Sequence, residues 1–404
     1  MQRPTRLSDA DLATIGHLLP AVEPALSPCP SGPRKGRTYP VAETHLIGNE
    51  KGYLDECVSS NWISSKGPFI DRFETAFARE AGTRHAVSCS SGTTALHLVM
   101  SALGLGAGDE VIVPAFTMIA CPNAVRYTGA TVKLVDAESD HLGMDPASIE
   151  AAITPATRAI LVVHVYGHPA RMDAIHAVAR RHGLLVVEDA AEAHGAEYAG
   201  KRAGSLGTAG TFSFYANKII TTGEGGMVTT DDAELARLVR TLRDHAFSPE
   251  RHFWHQYTGF NYRMTNLQAA VGLAQVERLG AIVDARRRLA GWYRERLAHV
   301  PGLVVPGEAA DSRSVFWMYG IQVEAAFGLT RDALRQRLAG RGVETRSFFI
   351  PVHLQPIYFD QFRGQAFPVA ERLCRQGLYL PTSEALTEAD CDWICRQIAD
   401  PGAA

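Results

Sequence analysis

A lysine in the middle of the chain stands where covalent chemistry is favoured. Residues 211–218 read Thr-Phe-Ser-Phe-Tyr-Ala-Asn-Lys, and a Gly-rich turn follows, so Lys218 comes at the end of an aromatic strand. Partial burial favours a neutral amine, and a neutral amine can form a Schiff base with an aldehyde. A lysine on an ordinary loop would be solvated, but the flanking pattern favours the nucleophile.

An acidic residue follows a second apolar run. Asp189 ends the stretch Val186-Val-Glu-Asp, so its carboxylate is expected at the carboxyl edge of a sheet. A carboxylate there can keep a pyridine nitrogen protonated, as pyridoxal phosphate requires to act as an electron sink. Taken alone, Asp189 is explained more simply as a helix N-cap. Together with Lys218, it predicts a cofactor held between two strand ends.

A third motif is suited to bind a phosphate. Residues 88–95 read Ser-Cys-Ser-Ser-Gly-Thr-Thr-Ala and precede a predicted helix. Backbone N–H groups at a helix N-terminus attract anions, although capping by Ser91 or Thr93 would explain the same residues. Ser213, shortly before Lys218, offers one more hydroxyl donor.

The elements that must position these residues alternate between strands and helices. Apolar runs predict strands over 85–88, 110–113, 131–135, 159–163, 184–188, 211–214 and 226–229. Helical patterns lie over 93–103, 146–152, 172–182 and 232–243. Strands rich in Val, Ile and Leu are typical of a parallel sheet covered on both faces, so the pattern predicts an α/β fold that binds ligands at its carboxyl edge.

The length of 404 residues predicts more than one domain. We expect a flexible Pro-rich extension over residues 1–37 and a large cofactor-binding domain over 38–282. A smaller C-terminal domain is expected over 283–404. A long helical stretch over 265–297 would connect the two domains.

Composition excludes several classes of function. Lys and Arg total 40 and Asp and Glu total 43, a net charge of −3, which does not favour nucleic-acid binding. No apolar run approaches the ~20 residues that span a bilayer, and the N-terminus lacks the apolar core of a signal peptide. Seven dispersed cysteines argue against a disulfide framework and favour a reducing cytoplasm.

No metal site is predicted. His164 and His168 form one pair with the spacing of a helical turn, and Cys391 and Cys395 form another, but neither pair has further ligands nearby in the sequence.

The three motifs, in this order, resemble those of the DegT/DnrJ/EryC1/StrS aminotransferases. This resemblance implies the fold type I (aspartate aminotransferase-like) architecture, with a mainly parallel central sheet and a smaller α+β domain. It extends over about residues 39–398. The matching stretches are 62–67 (Trp-Ile-Ser-Ser-Lys-Gly), 164–169 (His-Val-Tyr-Gly-His-Pro), 188–193 (Glu-Asp-Ala-Ala-Glu-Ala), 220–227, 261–266 (Asn-Tyr-Arg-Met-Thr-Asn) and 351–353.

The resemblance implies a role for each matching residue. Lys218 would bind pyridoxal 5'-phosphate covalently and move protons, and Asp189 would pair with its ring nitrogen. Glu192 would approach the phenolic oxygen. The phosphate would be bound by Gly92, Thr93 and Ser213 and by Asn261 of a neighbouring subunit, which implies a homodimer with shared active sites. Positions near the sugar nucleotide are Trp62, Ser64, Arg346 and His353.

Two positions bear on the chemistry. Met118 stands where the family usually has an aromatic residue stacked on the cofactor ring, and its polarizable sulfur can also pack on a ring. Relatives that dehydrate sugars have a histidine at the position of Lys218, so the lysine favours transamination.

The resemblance implies transfer of an amino group, with glutamate as donor, to a keto-deoxy sugar nucleotide. GDP-4-keto-6-deoxy-D-mannose is the first expectation for the acceptor. The alternatives are a 3-keto hexose nucleotide, a dTDP-sugar or a keto-cyclitol, and then a regulatory relative without turnover. His245, His252 and His255 lie in an aromatic-rich segment, which is either a packed loop or a loop that meets a substrate or a partner subunit.

Overall fold

The computed structural model describes residues 6–248, 250–251 and 253–399. The strands are β1 His85–Cys89, β2 Glu110–Pro114, β3 Thr131–Val135, β4 Thr157–Val163, β5 Leu185–Asp189, β6 Glu197–Tyr198, β7 Lys201–Arg202, β8 Ala209–Ser213, β9 Gly226–Thr230, β10 Leu303–Val304, β11 Ser312–Arg313, β12 Tyr319–Val323, β13 Arg346–Ser347 and β14 Gly377–Leu380. The helices are α1 Asp9–Ile15, α2 Glu50–Ser59, α3 Pro68–Ala81, α4 Gly92–Ala102, α5 Ala120–Tyr127, α6 Pro146–Ala152, α7 Met172–His182, α8 Ala233–Leu242, α9 Asn266–Val276, α10 Leu279–Leu297, α11 Arg331–Ala339, α12 Pro356–Phe359, α13 Pro368–Gln376 and α14 Glu388–Ala399.

The large sheet has the strand order β1-β9-β8-β5-β4-β2-β3. β9 runs antiparallel to both of its neighbours, and the other neighbouring strands are parallel. All seven strands were predicted from their apolar runs, with small shifts at their ends. The α/β fold class with a mainly parallel central sheet is confirmed.

Helices bury the faces of this sheet. Phe77 of α3 packs edge-on against Phe212 of β8 and against Phe214, which follows this strand, and Phe73 packs tilted against Phe214. A Cβ at Gly272 of α9 would lie 2.6 Å from the Phe73 ring, so glycine allows α9 to pack closely on α3. The predicted helical stretch 265–297 is two helices, α9 and α10, rather than one.

A second core surrounds the smaller sheet β10-β12-β14-β13. Helix α10 joins the two cores, since Ile282 packs in the first and Tyr293 in the second. The predicted domain boundary at 282/283 falls within this helix and stays a prediction. No helix among the described residues is long and apolar enough to cross a membrane.

The N-terminal segment differs from the flexible extension that we expected. Ser8 caps α1 through a capping box, and Ile15 and Leu18 pack with Leu354 and Phe359. Further along, the Ser27 N–H donates to the Ala339 carbonyl over 3.0 Å. Proline richness predicted a flexible segment, but Ile15, Leu18 and Ser27 have apolar or backbone partners far away in the sequence.

Candidate active site

The strand order brings the predicted motifs to one edge of the sheet. β1, β8 and β5 point the same way, so Cys89, Ser213 and Asp189 all end strands at this edge. Because β9 is antiparallel, it begins there, and Gly226 pairs with both Cys89 and Ser213. A cavity of about 410 Å³ opens at this edge. Its walls include Ser91, Gly92, Thr93, Met118, Asp189, Glu192, Ser213, Tyr215, Lys218, Trp317, Phe349 and Tyr379.

Lys218 lies in a closed loop between β8 and β9. Its N–H donates to the Tyr215 carbonyl over 2.9 Å. Thr221 and Thr222 close the loop by donating, through hydroxyl and N–H respectively, to the Phe214 carbonyl, each over 3.0 Å. These bonds fix the loop, and the lysine side chain, 13% exposed, enters the cavity.

Two side chains hold the Lys218 amine. Nζ lies 3.9 Å from the centroid of the Trp317 ring, a cation–π contact, and 3.6 Å from Glu192 Oε1. Trp317 Nε1–H donates to the carbonyl of Asn217 over 2.8 Å. The amine therefore lies between an aromatic face and a carboxylate.

Glu192 is held at its other oxygen by an unusual piece of backbone. Tyr166 has φ +53°, a left-handed conformation that is uncommon for residues other than glycine, and its N–H donates to Glu192 Oε2 over 2.8 Å. Burial raises the pKa of Glu192 to about 6, and the Lys218 charge opposes this shift. The carboxyl group can thus hold or release a proton close to neutral pH.

Asp189 is buried and its carboxylate is oriented by two donors. The Cys121 thiol donates to Oδ2 over 2.9 Å, and the Ala191 N–H donates to Oδ1 over 3.0 Å. Cys121 contacts Thr117 in turn, with Sγ and Oγ1 3.2 Å apart. The predicted N-cap alternative does not apply, because Asp189 ends β5 and no α-helix follows it directly among the described residues.

The start of α4 forms the predicted phosphate loop. Ser91 is its N-cap and accepts from the Thr94 N–H, so its own hydroxyl serves the helix. A Cβ at Gly92 would lie 2.7 Å from the Ser213 Cβ, and one at Gly226 would lie 2.2 Å from the Ser91 carbonyl oxygen. Only glycine permits this close approach of loop and strand, which leaves the Ser213 hydroxyl and the helix N-terminus facing one cavity.

A family model for the DegT/DnrJ/EryC1/StrS aminotransferases matches residues 45–399. The chain belongs to this family. The predicted activity is thereby confirmed: this is a pyridoxal phosphate-dependent sugar aminotransferase.

Individual relatives agree with this assignment. The chain is 51% identical to GDP-perosamine synthase of Caulobacter vibrioides, over 88% of this chain and 95% of that one. It is 43% identical to dTDP-3-amino-3,4,6-trideoxy-alpha-D-glucose transaminase of Streptomyces venezuelae, over 78% and 82% of the two chains. The crystal structure of S. venezuelae DesV matches with a TM-score of 0.82 and 40% identity, over 87% and 93% of the chains.

The residues of this aminotransferase fit the cofactor of its family. The cavity walls carry the Lys218 amine, the Asp189 carboxylate and the N-terminus of α4. These groups suit, in the same order, the aldehyde, the ring nitrogen and the phosphate of the cofactor. The glycine-lined approach of Gly92 to Ser213 supplies a cradle for the phosphate. Met118, half exposed, also lines the cavity, where its sulfur can pack on a ring.

Five other predicted residues lie outside the cavity walls. Asn261 is exposed and accepts from Arg263 Nε over 3.1 Å. Trp62 and Ser64 are exposed, and their carbonyls accept from Asn266. Their proposed roles toward a neighbouring subunit or a substrate stay predictions.

The last two lie on the C-terminal side of the site. Arg346 pairs with Glu344 at the surface. His353 is buried, with Nε2 3.2 Å from Glu371 Oε1, and its ring packs on Phe367. A substrate role for His353 would require movement of this buried ring.

Sequence reasoning missed the aromatic walls of the cavity. Trp317, Phe349 and Tyr379 come from the C-terminal part of the chain. Their only signal was that Trp317 and Tyr379 flank or belong to apolar strands, and neither spacing nor motif connected them to Lys218. Cys121 was also missed, because a lone cysteine in an apolar helix looks like core.

The histidines of the pair His164 and His168 have other residues as partners. His164 Nε2 contacts Glu188 Oε2 over 2.9 Å, and His168 stacks on His141 with ring centroids 4.6 Å apart. No group of His, Cys, Asp and Glu suited to hold a metal is found within the described residues. In the aromatic segment, His255 Nδ1 bonds the His245 carbonyl over 2.7 Å, and His252 lies outside the described residues.

Proposed function

We propose that this aminotransferase moves an amino group from L-glutamate to GDP-4-keto-6-deoxy-D-mannose and so makes GDP-perosamine. The observation that carries the proposal is the 51% identity, over nearly the whole chain, to a GDP-perosamine synthase. The cavity that holds both Lys218 and Asp189 supplies the required chemistry.

Each residue of the cavity has a task in this proposal. When bound, pyridoxal phosphate supplies an aldehyde that joins amines and a ring that delocalises negative charge. Lys218 would hold the cofactor covalently through its aldehyde, with loss of water, and Asp189, oriented by Cys121 and Ala191, would keep the ring nitrogen charged. Gly92, Thr93 and Ser213 bind the phosphate.

With the cofactor bound, the free amine of Lys218 would act as the proton carrier. Its Nζ would take the proton from the Cα of the amino donor and, in the second half of the reaction, would deliver a proton to the sugar carbon that receives the amino group. Trp317 and Glu192 hold this amine in the cavity. Nζ lies 3.9 Å from the centroid of the Trp317 ring and 3.6 Å from Glu192 Oε1. Glu192 has a pKa of about 6. Its carboxylate form can pair with the charged Lys218 amine, and its protonated form can donate a hydrogen bond to the phenolic oxygen of the cofactor.

A homodimer with shared active sites is part of the proposal. Asn261 is exposed and absent from the cavity walls of its own chain, which suits a residue that reaches a neighbour. Exposed aromatic side chains accompany it on the same segment: Phe253 is 76% exposed and Trp254 is 55% exposed.

The seven cysteines are free and buried, which suits the cytoplasm as the expected compartment.

A substrate panel tests the proposed acceptor. The purified enzyme is loaded with cofactor and L-glutamate and offered GDP-4-keto-6-deoxy-D-mannose, a dTDP-4-keto sugar and a 3-keto hexose nucleotide, and the amino sugar is detected by mass. We expect the highest kcat/KM for the GDP-sugar. A preference for a dTDP-sugar or a 3-keto sugar would overturn the acceptor but keep the reaction class, for which the 43% identity to a dTDP-sugar transaminase is a precedent.

The reaction class has its own test. Borohydride reduction of the loaded enzyme should attach the cofactor to Lys218, and Lys218→Ala should abolish turnover. Attachment elsewhere, or normal turnover by Lys218→Ala, would contradict the assigned lysine.

A further inference from the structure

A buried ion pair lies behind the phosphate loop, outside the cavity. Glu74 of α3 and Arg243, directly after α8, are joined over 2.7 Å between Oε1 and Nη1, and their side chains are 8% and 13% exposed. Both contact Ser88 of β1, which is fully buried. Neither the pair nor Ser88 lines the cavity that contains Lys218.

The pair holds Ser88 through its N–H, its hydroxyl and its carbonyl. The N–H and the hydroxyl donate to Glu74 Oε1 over 2.9 and 2.8 Å. The carbonyl accepts from Arg243 Nη1 over 2.5 Å. Hydrogen bonds to charged groups are stronger than neutral ones, and their burial protects them from competing water.

Arg243 also reaches the loop by a second route. Its carbonyl accepts from the Tyr262 N–H over 2.9 Å, and the Tyr262 carbonyl accepts from the Ser90 N–H over 2.8 Å. The side chain of Arg243 therefore fixes Ser88, and its main chain fixes Ser90. These two residues lead directly into Ser91, the N-cap of α4.

We propose that Glu74 and Arg243 are positioning residues for the phosphate loop. They fix the direction of the N–H groups that start α4 and thereby set the affinity for the phosphate of the cofactor. N–H donors that converge on one anion must be held within about 0.5 Å, which a loop achieves only with outside support. This inference rests on the proposed function, in which the loop binds that phosphate.

The experiment compares two ligands that differ only in the phosphate. Pyridoxal 5'-phosphate and pyridoxal are each titrated into the cofactor-free full-length enzyme, and binding at Lys218 is followed by visible absorbance. The variants are Glu74→Gln, Arg243→Met and the double variant Glu74→Gln/Arg243→Met. We expect each variant to bind pyridoxal phosphate about tenfold more weakly, the loss of one charge-assisted hydrogen bond, and to bind pyridoxal as the unchanged enzyme does.

The double variant separates positioning from stability. Each single variant leaves a buried charge without its main partner, although Arg240 still contacts Glu74 Oε2 over 3.0 Å, so its melting temperature should fall. The double variant removes both charges and should recover much of the melting temperature, yet keep the weak binding of pyridoxal phosphate. The inference would be overturned if the double variant recovered its affinity for pyridoxal phosphate together with its melting temperature. It would also be overturned if the variants lost affinity for pyridoxal phosphate and for pyridoxal equally.

A matched control and the unchanged enzyme complete the design. Arg296→Met breaks an ion-pair network of Arg296 with Glu388 and Asp392, residues that do not line the cavity, and should leave the affinities for both ligands unchanged. An unchanged enzyme that binds neither ligand at Lys218 would contradict the proposed function. If it binds pyridoxal phosphate better than pyridoxal but Glu74→Gln does not alter that preference, only the positioning role fails.

Discussion

The thiol of Cys121 donates a hydrogen bond to the carboxylate of Asp189, with Sγ and Oδ2 2.9 Å apart. Cys121 is fully buried, and burial together with the neighbouring Asp189 charge raises the pKa of this thiol well above its usual value. The thiol is therefore protonated at neutral pH and acts as a donor. It orients the group that we assign to the ring nitrogen of the cofactor.

Replacing this donor should slow catalysis without removing the cofactor. Among the described residues, Cys121→Ala leaves the Ala191 N–H as the one donor that orients Asp189. We expect kcat to fall about two- to tenfold, the worth of one hydrogen bond. Cys121→Ser keeps a donor at the same place and should retain most of the activity. The measurement is kcat at saturating glutamate, and an unimpaired Cys121→Ala enzyme would mean that Cys121 is only core.

His194 predicts how stability changes with pH. Its ring is buried among Phe77, Phe212 and Phe214, and burial lowers its pKa to about 3, with the Lys218 charge acting in the same direction. The unfolded chain takes up a proton below about pH 6.5, which the folded chain refuses. Stability from this group is therefore complete above pH 6.5 and is lost as the pH falls toward 3.

His194→Phe should flatten this dependence. Between pH 7 and pH 5 the neutral histidine costs the fold about 2 kcal/mol by linkage, and phenylalanine does not titrate. The check is the free energy of unfolding of the cofactor-free enzyme at the two pH values. His299→Gln changes an exposed histidine and serves as the control. A His194→Phe variant with the pH slope of the unchanged enzyme would contradict this account.

The sequence predicted what depends on local pattern. Val, Ile and Leu runs located the strands, and chain order placed Lys218 and Asp189 at one sheet edge. It did not predict Trp317 beside Lys218, because that contact joins residues far apart in the chain and depends on how the smaller sheet packs on the larger one. The contact between the N-terminal segment and Arg335 was not predicted either, because the proline content of the segment indicated a flexible extension and the two partners are far apart in the chain.

That contact gives a third prediction. Arg335 is 1% exposed and pairs with Glu23 and with Asp332, so the extension supplies part of the charge compensation for a buried cation. Glu23→Gln should lower the free energy of unfolding by about 1 kcal/mol, a modest value because Glu23 is itself half exposed and Asp332 remains. Urea unfolding measures this effect, and it should be absent when the neighbouring exposed residue Val22 is changed to Ala. Equal stability of Glu23→Gln and the unchanged enzyme would indicate that the segment rests on the surface without supporting it.

Shared active sites make the fourth prediction. Arg263 donates to Asn261 and also pairs with Asp244 over 2.9 Å. Asn261 is thereby held next to the aromatic segment 253–257 and outside the cavity walls of its own chain. If Asn261 serves the neighbouring subunit, Asn261→Ala and Lys218→Ala each inactivate a homodimer by damage to different chains of one site. We expect Asn261→Ala to weaken cofactor binding so far that the variant is inactive at a low cofactor concentration, and we expect Lys218→Ala to abolish turnover at any concentration.

Mixing the two variants decides between the two arrangements. In a mixed dimer, the subunit that keeps Lys218 meets the intact Asn261 of its Lys218→Ala neighbour. One of the two active sites of the dimer is therefore complete. Activity should therefore reappear when the two inactive variants are unfolded and refolded together or co-expressed, and it should approach about one quarter of that of the unchanged enzyme if subunits pair at random. If Asn261 served its own chain, every lysine-bearing site would lack the asparagine, and the mixture would be as inactive as its components.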